Sequence, residues 1–295
     1  MNRYYASSVY NDMVYIGTFN ITNQNFIQVY RINLITSSLK LIQQVKINLP
    51  VIQIRAFNNF VFISTDCIKL YDNKLVLIKE YFSDNLFPIL DFSVVFTNTN
   101  YYELCALSHG QILIANESHQ SYLKVIRQNW CAFHPFSISN SSKYYLLFYT
   151  TEQDVQLIFL NEFGQNFKTD KIQLQGRFIQ LERVEKIRID EAYCLYCLTS
   201  EGLFYLEIKV IRNLPQVEII NMNFPIINQL NGFVPTADAF LCITDSNFYE
   251  VIDDEVLIIQ KQVEVNHVLN SLQYVSNHII LIGDDFLKLK KVNLQ

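Results

Sequence analysis

The chain has 295 residues, half of them apolar, so it can bury a large core, and its formal net charge is −5. This acidic balance, with no run of five Lys or Arg residues, excludes broad binding to a nucleic-acid backbone. The amino terminus lacks the apolar stretch of a signal peptide and no window holds eighteen apolar residues, so we expect an intracellular protein of the nucleus or cytoplasm without membrane insertion.

The same pattern of apolar runs and turns recurs at a spacing of roughly forty residues, which is typical of a β-propeller. β-Branched and aromatic residues dominate the runs, and no amphipathic window with a helical period reaches three turns. The sequence therefore predicts an all-β fold, a single β-propeller domain over residues 1–295 with seven blades of about four antiparallel strands. The clearest copies begin at Met13, Phe60, Leu104, Tyr144, Tyr193, Phe240 and Ile279.

The second repeat shows the predicted strand order of a blade most plainly. Residues 51–57 form its inner strand, Asn58-Asn59 a hairpin turn and residues 60–65 the next strand. Thr65-Asp66 and Asn73-Lys74 then turn into two further strands. With only seven glycines in the chain, we expect such turns to rely on Asn, Asp and Ser. The inner strands predicted for the seven blades are residues 4–9, 51–57, 89–96, 133–139, 178–184, 227–234 and 269–275.

The seventh repeat supplies three strands, and its fourth strand is missing. Two interpretations stay open: a three-stranded blade, or one closed by the few amino-terminal residues, and a blade to which a partner protein donates a strand. Lys288, Lys290 and Lys291 alternate with Leu287 and Leu289 as a strand with one charged face. This face protects the terminal edge or receives a partner's acidic strand.

Within the first two repeats, the string VYIGTFN from Val14, followed by FIQVYRIN and the segment to about Val95, resembles the propellers of the cleavage-and-polyadenylation factor A (CPSF-A) superfamily. That family includes the large damaged-DNA-binding subunit and a large splicing-factor subunit. The resemblance implies a protein-binding propeller in RNA processing or DNA repair, although family members carry three propellers and this chain one. The alternatives are citron-homology propellers of vesicle-tethering proteins, which have a similar sequence pattern, and divergent WD40-type propellers. The landmarks of this resemblance, the short motifs shared with the family, fall on Ile16-Gly17-Thr18, Val29-Tyr30, Lys46 to Val51, Phe57-Asn58 and Lys69-Leu70-Tyr71.

No catalytic, cofactor or metal site is predicted. Cys194 and Cys197 form a CxxC pair, but residues three apart on a strand point to opposite faces, so we interpret them and the other four cysteines as free core thiols. Asp253-Asp254-Glu255 and Asp284-Asp285 lack the spacing of a calcium loop and are interpreted as hairpin turns. For the histidines we expect surface or capping roles. Nucleophile-elbow, phosphate-loop and dinucleotide motifs are absent from the sequence.

We therefore expect a non-enzymatic scaffold that binds other protein subunits of a larger intracellular complex. A vesicle-tethering or coat-complex subunit is the second hypothesis, and a propeller hydrolase with its site at the channel is the third. Five aromatic residues at or near predicted strand ends are candidate partner anchors, and packing between blades is the alternative for each. They are Tyr101, Tyr102, Trp130, Tyr144 and Phe233.

Overall fold

The computed structural model of the chain describes residues 2–20, 22, 24–57, 59–84, 89–96, 102–108, 111–116, 119–124, 130–139, 142–151, 153–161, 163, 165, 172–184, 193–211, 214–222, 230, 232–235, 240–243, 248–251, 269–276, 278–283 and 287–291. Within these residues all regular structure is β-strand, arranged as seven antiparallel sheets. We number the sheets as blades 1 to 7 in chain order. No helix in the described ranges is long and apolar enough to cross a membrane.

Blades 1 to 3 have four strands each. They comprise β1 (Asn2–Tyr10), β2 (Met13–Asn20), β3 (Asn25–Asn33) and β4 (Ser38–Ile47); β5 (Gln53–Phe57), β6 (Phe60–Ser64), β7 (Ile68–Asp72) and β8 (Leu77–Tyr81); and β9 (Ile89–Phe96), β10 (Tyr102–Ser108), β11 (Gln111–Ala115) and β12 (Gln120–Lys124).

Blades 4 and 5 also have four strands, and blades 6 and 7 have three within the described ranges. They comprise β13 (Trp130–Ser139), β14 (Ser142–Thr150), β15 (Asp154–Asn161) and β16 (Ile172–Gln175); β17 (Phe178–Val184), β18 (Tyr193–Thr199), β19 (Leu203–Ile211) and β20 (Leu214–Met222); β21 (Gly232–Pro235), β22 (Phe240–Ile243) and β23 (Phe248–Val251); and β24 (Leu269–Val275), β25 (His278–Gly283) and β26 (Leu287–Lys291).

Asparagine takes the place of glycine in two of the tight turns. Asn11, between β1 and β2, has φ 54°, and Asn59, between β5 and β6, has φ 66°. Asn tolerates this left-handed region better than other residues with a side chain. The predicted reliance of a glycine-poor chain on Asn in its hairpins is confirmed at these two positions.

The first strand of each blade lies beside the first strand of its neighbours. β1 contacts β5 and β24, β9 contacts β5 and β13, and β21 contacts β17 and β24. Blades 4 and 5 share a core cluster that includes Phe148 and Leu195. Six of the seven first strands match the predicted inner strands closely, whereas β21 overlaps the predicted residues 227–234 only at 232–234. The blades form a closed ring, and the predicted β-propeller fold is confirmed.

Ring closure depends on face-to-face packing of blades 7 and 1. Val14 and Ile16 of β2 pack with Ile280 of β25 and Leu289 of β26 in one buried cluster. All four strands of blade 1 come from residues 2–47, so in the described ranges no strand is exchanged between these two blades. Because neighbouring blades bury both faces of each sheet, its strands are near-continuous apolar runs.

Candidate interaction surfaces

Side chains of the inner strands hydrogen-bond to the backbone of the next blade. The Ser8 hydroxyl on β1 accepts a hydrogen bond from the backbone N–H of Ala56 on β5, with an N–O distance of 3.0 Å. Gln53 Oε1 on β5 likewise accepts from the N–H of Phe92 on β9 at 3.1 Å. These polar groups therefore join consecutive blades. The same kind of contact joins Asp91 to Phe133 and Gln180 to Phe233. Between blades 7 and 1 the contact is between side chains, since the Gln273 amide donates to the Ser7 hydroxyl.

The two cysteines of the CxxC pair point to opposite faces of β18. Cys197 belongs to the core cluster between blades 4 and 5. The Cys194 thiol instead lies 2.9 Å from the hydroxyl of Tyr205 on β19. Tyr196 and Leu198, which share the parity of Cys194, pack toward blade 6. The interpretation of the pair as core thiols is confirmed. Because the two sulfur atoms lie on opposite faces of the strand, they could not bind one metal ion together.

Burial controls the thiol chemistry of this chain. All six cysteines are free, and five of them are buried. Burial raises the pKa of Cys131 to about 12 and that of Cys242 to about 12. Burial also raises the pKa of Cys197 well above its ordinary value. Such thiols stay protonated near neutral pH and are poor nucleophiles and poor metal ligands.

Acidic, cysteine and histidine side chains do not cluster as a metal site would require. Across the described ranges, no three or more of them lie close enough together to hold an ion. The acidic segments at residues 253–255 and 284–285 fall outside these ranges.

His278 corrects the expectation of a surface role. Its side chain is buried, and one ring nitrogen lies 3.2 Å from the hydroxyl of Ser37, in the turn between β3 and β4. The other ring nitrogen lies 3.2 Å from the carbonyl oxygen of Ser276. His278 therefore links blade 7 to blade 1, because its side chain lies on the face of β25 that packs against blade 1.

Two of the predicted aromatic anchors lie in the core. Tyr102 is 5% exposed, and its ring packs edge-on against Phe62 with the centroids 5.2 Å apart. Its hydroxyl hydrogen-bonds to that of Tyr81. Phe233 is 1% exposed and packs edge-on against Tyr196 at 6.2 Å. Both side chains pack between blades, which was the alternative interpretation for these residues.

The remaining predicted anchors are spread over different parts of the chain. Tyr144 is half-buried and packs against the core cluster between blades 4 and 5. Trp130 begins β13 and pairs with Tyr149 in the backbone ladder. Tyr101 lies outside the described ranges. Of the two that the structure describes, Trp130 and Tyr144 lie near opposite ends of the β13–β14 pair.

The lysine-rich strand β26 is the outermost strand described for blade 7. Lys288 and Lys291 are exposed, whereas Leu289 between them is buried against blade 1. Lys290 pairs with Ile279 of β25 in the ladder. The register of β26 against β25 is regular along its whole length. A regular outer strand presents the backbone groups that a donated strand would need.

Blades 1 and 2 carry many exposed apolar side chains that sequence reasoning missed. Nine of the thirteen large hydrophobic residues exposed in the described ranges fall between residues 34 and 78, on outer strands β4 and β8 and in the turns and connecting segments beside them. In the sequence, the apolar run at residues 75–78 has the appearance of a buried strand. We call these nine residues the outer patch: Leu34, Ile35, Leu41, Ile42, Leu49, Ile52, Val76, Leu77 and Ile78.

A β-bulge interrupts the outer strand in both blades. On β4, Leu41 pairs with Tyr30 and Gln43 with Val29, which leaves Ile42 as the extra residue. On β8, the extra residue is Ile78, between Leu77 and Lys79. Both extra residues are exposed. Bulges disturb the regular edge that strand addition requires, so the outer patch is suited to contacts through side chains.

Comparison with known proteins identifies structural relatives only. No protein-family model matches the chain, and no curated protein matches it in sequence. BBS1N, solved in complex with ARL6DN, superposes with a TM-score of 0.65 at 10% identity, over 96% of this chain and 88% of that one.

Two further solved structures share the ring. Sqt1 of Saccharomyces cerevisiae has a TM-score of 0.59 at 10% identity, over 95% of this chain and 79% of that one. Virginiamycin B lyase of Staphylococcus aureus has a TM-score of 0.61 at 12% identity, over 98% of this chain and 95% of that one. At these identities the likeness establishes the fold alone, and membership of the CPSF-A superfamily is not confirmed.

Proposed function

We propose that this propeller is a non-enzymatic interaction platform that binds other protein subunits in a larger intracellular assembly. The outer patch on blades 1 and 2 is the observation that carries the proposal. Exposed aliphatic side chains on the outer strands and turns of these two blades favour burial against a partner, since removing them from water is favourable by about 25 cal/mol per Å². The ring fold alone does not decide between binding and catalysis, because BBS1N and virginiamycin B lyase both superpose on it.

Strand β26 offers a second place for a protein partner. Its regular register and its position at the edge of a blade with three described strands support the donation of a strand by a partner. Exposed Lys288 and Lys291 favour acidic residues on that strand. A strand added there would complete blade 7 with the four strands that blades 1 to 5 have.

The assembly we propose handles RNA or DNA, in the nucleus or the cytoplasm. The support is the resemblance of residues 14–95 to the CPSF-A superfamily. With a net charge of −5, the chain itself would contact nucleic acid locally or through its partners.

Affinity capture of the tagged full chain from its native cells, with a nuclease-treated control and mass spectrometry, tests this function. Stoichiometric RNA-processing or DNA-repair subunits that survive nuclease treatment are expected. Vesicle-tethering or coat subunits would overturn the RNA or DNA assignment in favour of the trafficking alternative. Recovery of the protein alone would overturn the platform itself.

The strand-donation part has a separate test in the same experiment. Replacing Lys288 and Lys291 with Glu should deplete the subunit that donates the strand, because both exposed charges would then repel its acidic residues. Arg177→Glu, at an exposed position between β16 and β17, is the control and should leave that subunit in place. Equal recovery with all variants would contradict strand donation to β26.

A further inference from the structure

The outer strand of blade 1 turns two leucines toward blade 7. Directly opposite residues on antiparallel strands share a face of the sheet. Leu39 is opposite Ile32 and Leu41 is opposite Tyr30, and both Ile32 and Tyr30 pack in the cluster between blades 7 and 1. Leu39 packs against that cluster as well, whereas Leu41 is 45% exposed. Strand β26 lies beside β4, so Leu41 projects on the side of β4 where the described strands of blade 7 end.

Blades 4 and 5 show how the outer strands of two four-stranded blades pack. Ile172 and Leu174 of β16, the fourth strand of blade 4, pack in one apolar cluster with two residues of β20, the fourth strand of blade 5. These two residues are Val217 and Ile219, and both are partly buried. Ile172 and Leu174 are separated by one residue, as expected for side chains on the same face of a strand. The fourth strand of one blade thus covers the fourth strand of the next with apolar residues at alternate positions.

Blade 7 has no counterpart of β16 in the described ranges. Its third strand, β26, pairs with β25 without a bulge from Leu287 to Lys291, so its outer edge keeps the regular spacing of backbone groups that a further strand needs. Leu287 and Leu289 pack toward blade 1. Because side chains alternate across a strand, every second residue of a strand added to β26 would point to that same side, toward Leu41 of β4.

The strands that meet here carry positive charge. β3, β4, β25 and β26 contain no acidic residue, and Lys291 is exposed at the end of β26. The carboxylate of Asp12, in the turn before β2, is already paired with Arg31. Asp284 and Asp285 precede the other end of β26 and lie outside the described ranges. An acidic residue on an added strand is therefore favoured at the end beside Lys291.

We infer that a partner protein completes blade 7 with a strand that has aliphatic residues at alternate positions and an acidic residue beside Lys291. The backbone of this strand pairs with β26, and its aliphatic side chains cover Leu41 as β16 covers β20. The inference rests on the proposed strand donation and names the residue pattern of the donor. A second copy of this chain is disfavoured, because two β26 edges paired about a two-fold axis would bring their lysines together.

A displayed library of random peptides of about eight residues, selected on the full chain, provides the probe. We expect enriched peptides to have Leu, Ile, Val or Phe at alternate positions together with Asp or Glu. Their affinity, measured by fluorescence anisotropy, should fall about tenfold or more with Leu41→Ser, which removes the aliphatic contact. Leu77→Ser is the matched control and should leave affinity unchanged, because Leu77 is 46% exposed but faces blade 1, which already has four strands. Unchanged melting temperatures show that both variants are folded.

Backbone pairing is tested on an enriched peptide itself. Methylation of every second backbone nitrogen removes the N–H groups along one edge of a strand. Of two such peptides, offset by one residue, one should lose about tenfold or more in affinity. The other should bind like the parent peptide, because its methyl groups point away from β26. Equal affinity of the two would overturn pairing with β26 and leave contacts through side chains.

Several other outcomes would also overturn the inference. They are no enriched peptide, peptides without the alternate aliphatic residues or without acidic residues, and equal effects of Leu41→Ser and Leu77→Ser. A dimer of the wild type that Leu41→Ser converts to monomer in sedimentation would assign the edge to a second copy. Failure here with subunits still captured from cells leaves the platform standing, whereas a bound peptide with no captured subunit contradicts only the platform.

Discussion

Gly17 on β2 packs directly against Val51, at the crossing from blade 1 to blade 2. A Cβ atom on residue 17 would lie 2.7 Å from Val51 Cβ and 3.1 Å from its Cγ1, closer than side-chain carbons approach. Val51 is itself buried in the cluster between the two blades. The glycine of the Ile16-Gly17-Thr18 landmark thus leaves room for the valine that ends the Lys46 to Val51 landmark.

Replacing Gly17 with alanine should therefore strain the interface between blades 1 and 2. We expect Gly17→Ala to lower the free energy of unfolding by about 1–3 kcal/mol, measured by urea denaturation, because buried Val51 has little room to move. Gly202→Ala is the comparison, since the atom nearest to its added Cβ, in the Phe204 ring, is 3.0 Å away and the clash is milder. Equal losses for both variants would contradict the proposed cause.

Gln180 holds blade 6 to blade 5 through its side-chain amide. Its Oε1 accepts from the Phe233 N–H at 3.1 Å, and its Nε2 donates to the Phe233 carbonyl at 3.0 Å. Gln180→Ala should lower the free energy of unfolding by about 1–3 kcal/mol, because both backbone groups lose a partner. Gln216→Ala, on the exposed outer strand β20, should change it by less than about 0.5 kcal/mol.

Gln180→Glu tests the electrostatics of the same site. Nε2 of Gln180 also donates to the Glu182 carboxylate at 2.6 Å, so a carboxylate at residue 180 would face another one. Near neutral pH we expect a greater loss of stability than for Gln180→Ala. The difference should shrink as the pH is lowered below about 4, because protonation of the introduced glutamate removes the repulsion. A pH-independent difference between the two variants would rule out charge repulsion.

Closure of the ring by blade 7 can be tested at one leucine. Leu289 is buried among residues of blades 7 and 1, and we expect Leu289→Ala to cost about 2–5 kcal/mol of stability. Lys288→Ala, at the exposed neighbouring position, should be near neutral. Truncation after Asp285 removes all of β26 and should lead to unfolding or aggregation. Retained solubility with unchanged melting would contradict closure by this strand.

Alkaline pH should destabilise the protein through its buried thiols. Burial raises the pKa of Cys131 and Cys242 from 9.0 to about 12, so both stay neutral in the fold when the unfolded chain ionises. Their contribution to stability is complete below the unfolded value and is lost as the pH rises through 9 toward 12. Burial also raises the pKa of Tyr15 and Tyr71, which act in the same direction.

Urea denaturation across this alkaline range provides the measurement. The double variant C131A/C242A should show a smaller decrease of the free energy of unfolding with pH than the wild type. Parallel pH profiles for the two proteins would exclude these thiols as a cause.

The sequence by itself determined the all-β fold, the repeat, six of the seven inner strands and the turns at Asn59 and Asp66. Each of these depends on local chemistry: β-branched and aromatic residues favour strands, and Asn tolerates the left-handed conformation. The opposite orientation of Cys194 and Cys197 also follows from strand geometry alone.

Only the tertiary structure decided which apolar residues are covered. Tyr102 and Phe233 are buried while Val76 and Leu77 are exposed, although all four belong to similar strand-like runs. Exposure depends on the neighbouring blade and on the strand register, and the bulges at Ile42 and Ile78 change that register. Contacts between residues distant in sequence therefore decided which of these side chains are exposed, and no local pattern in the chain could reveal it.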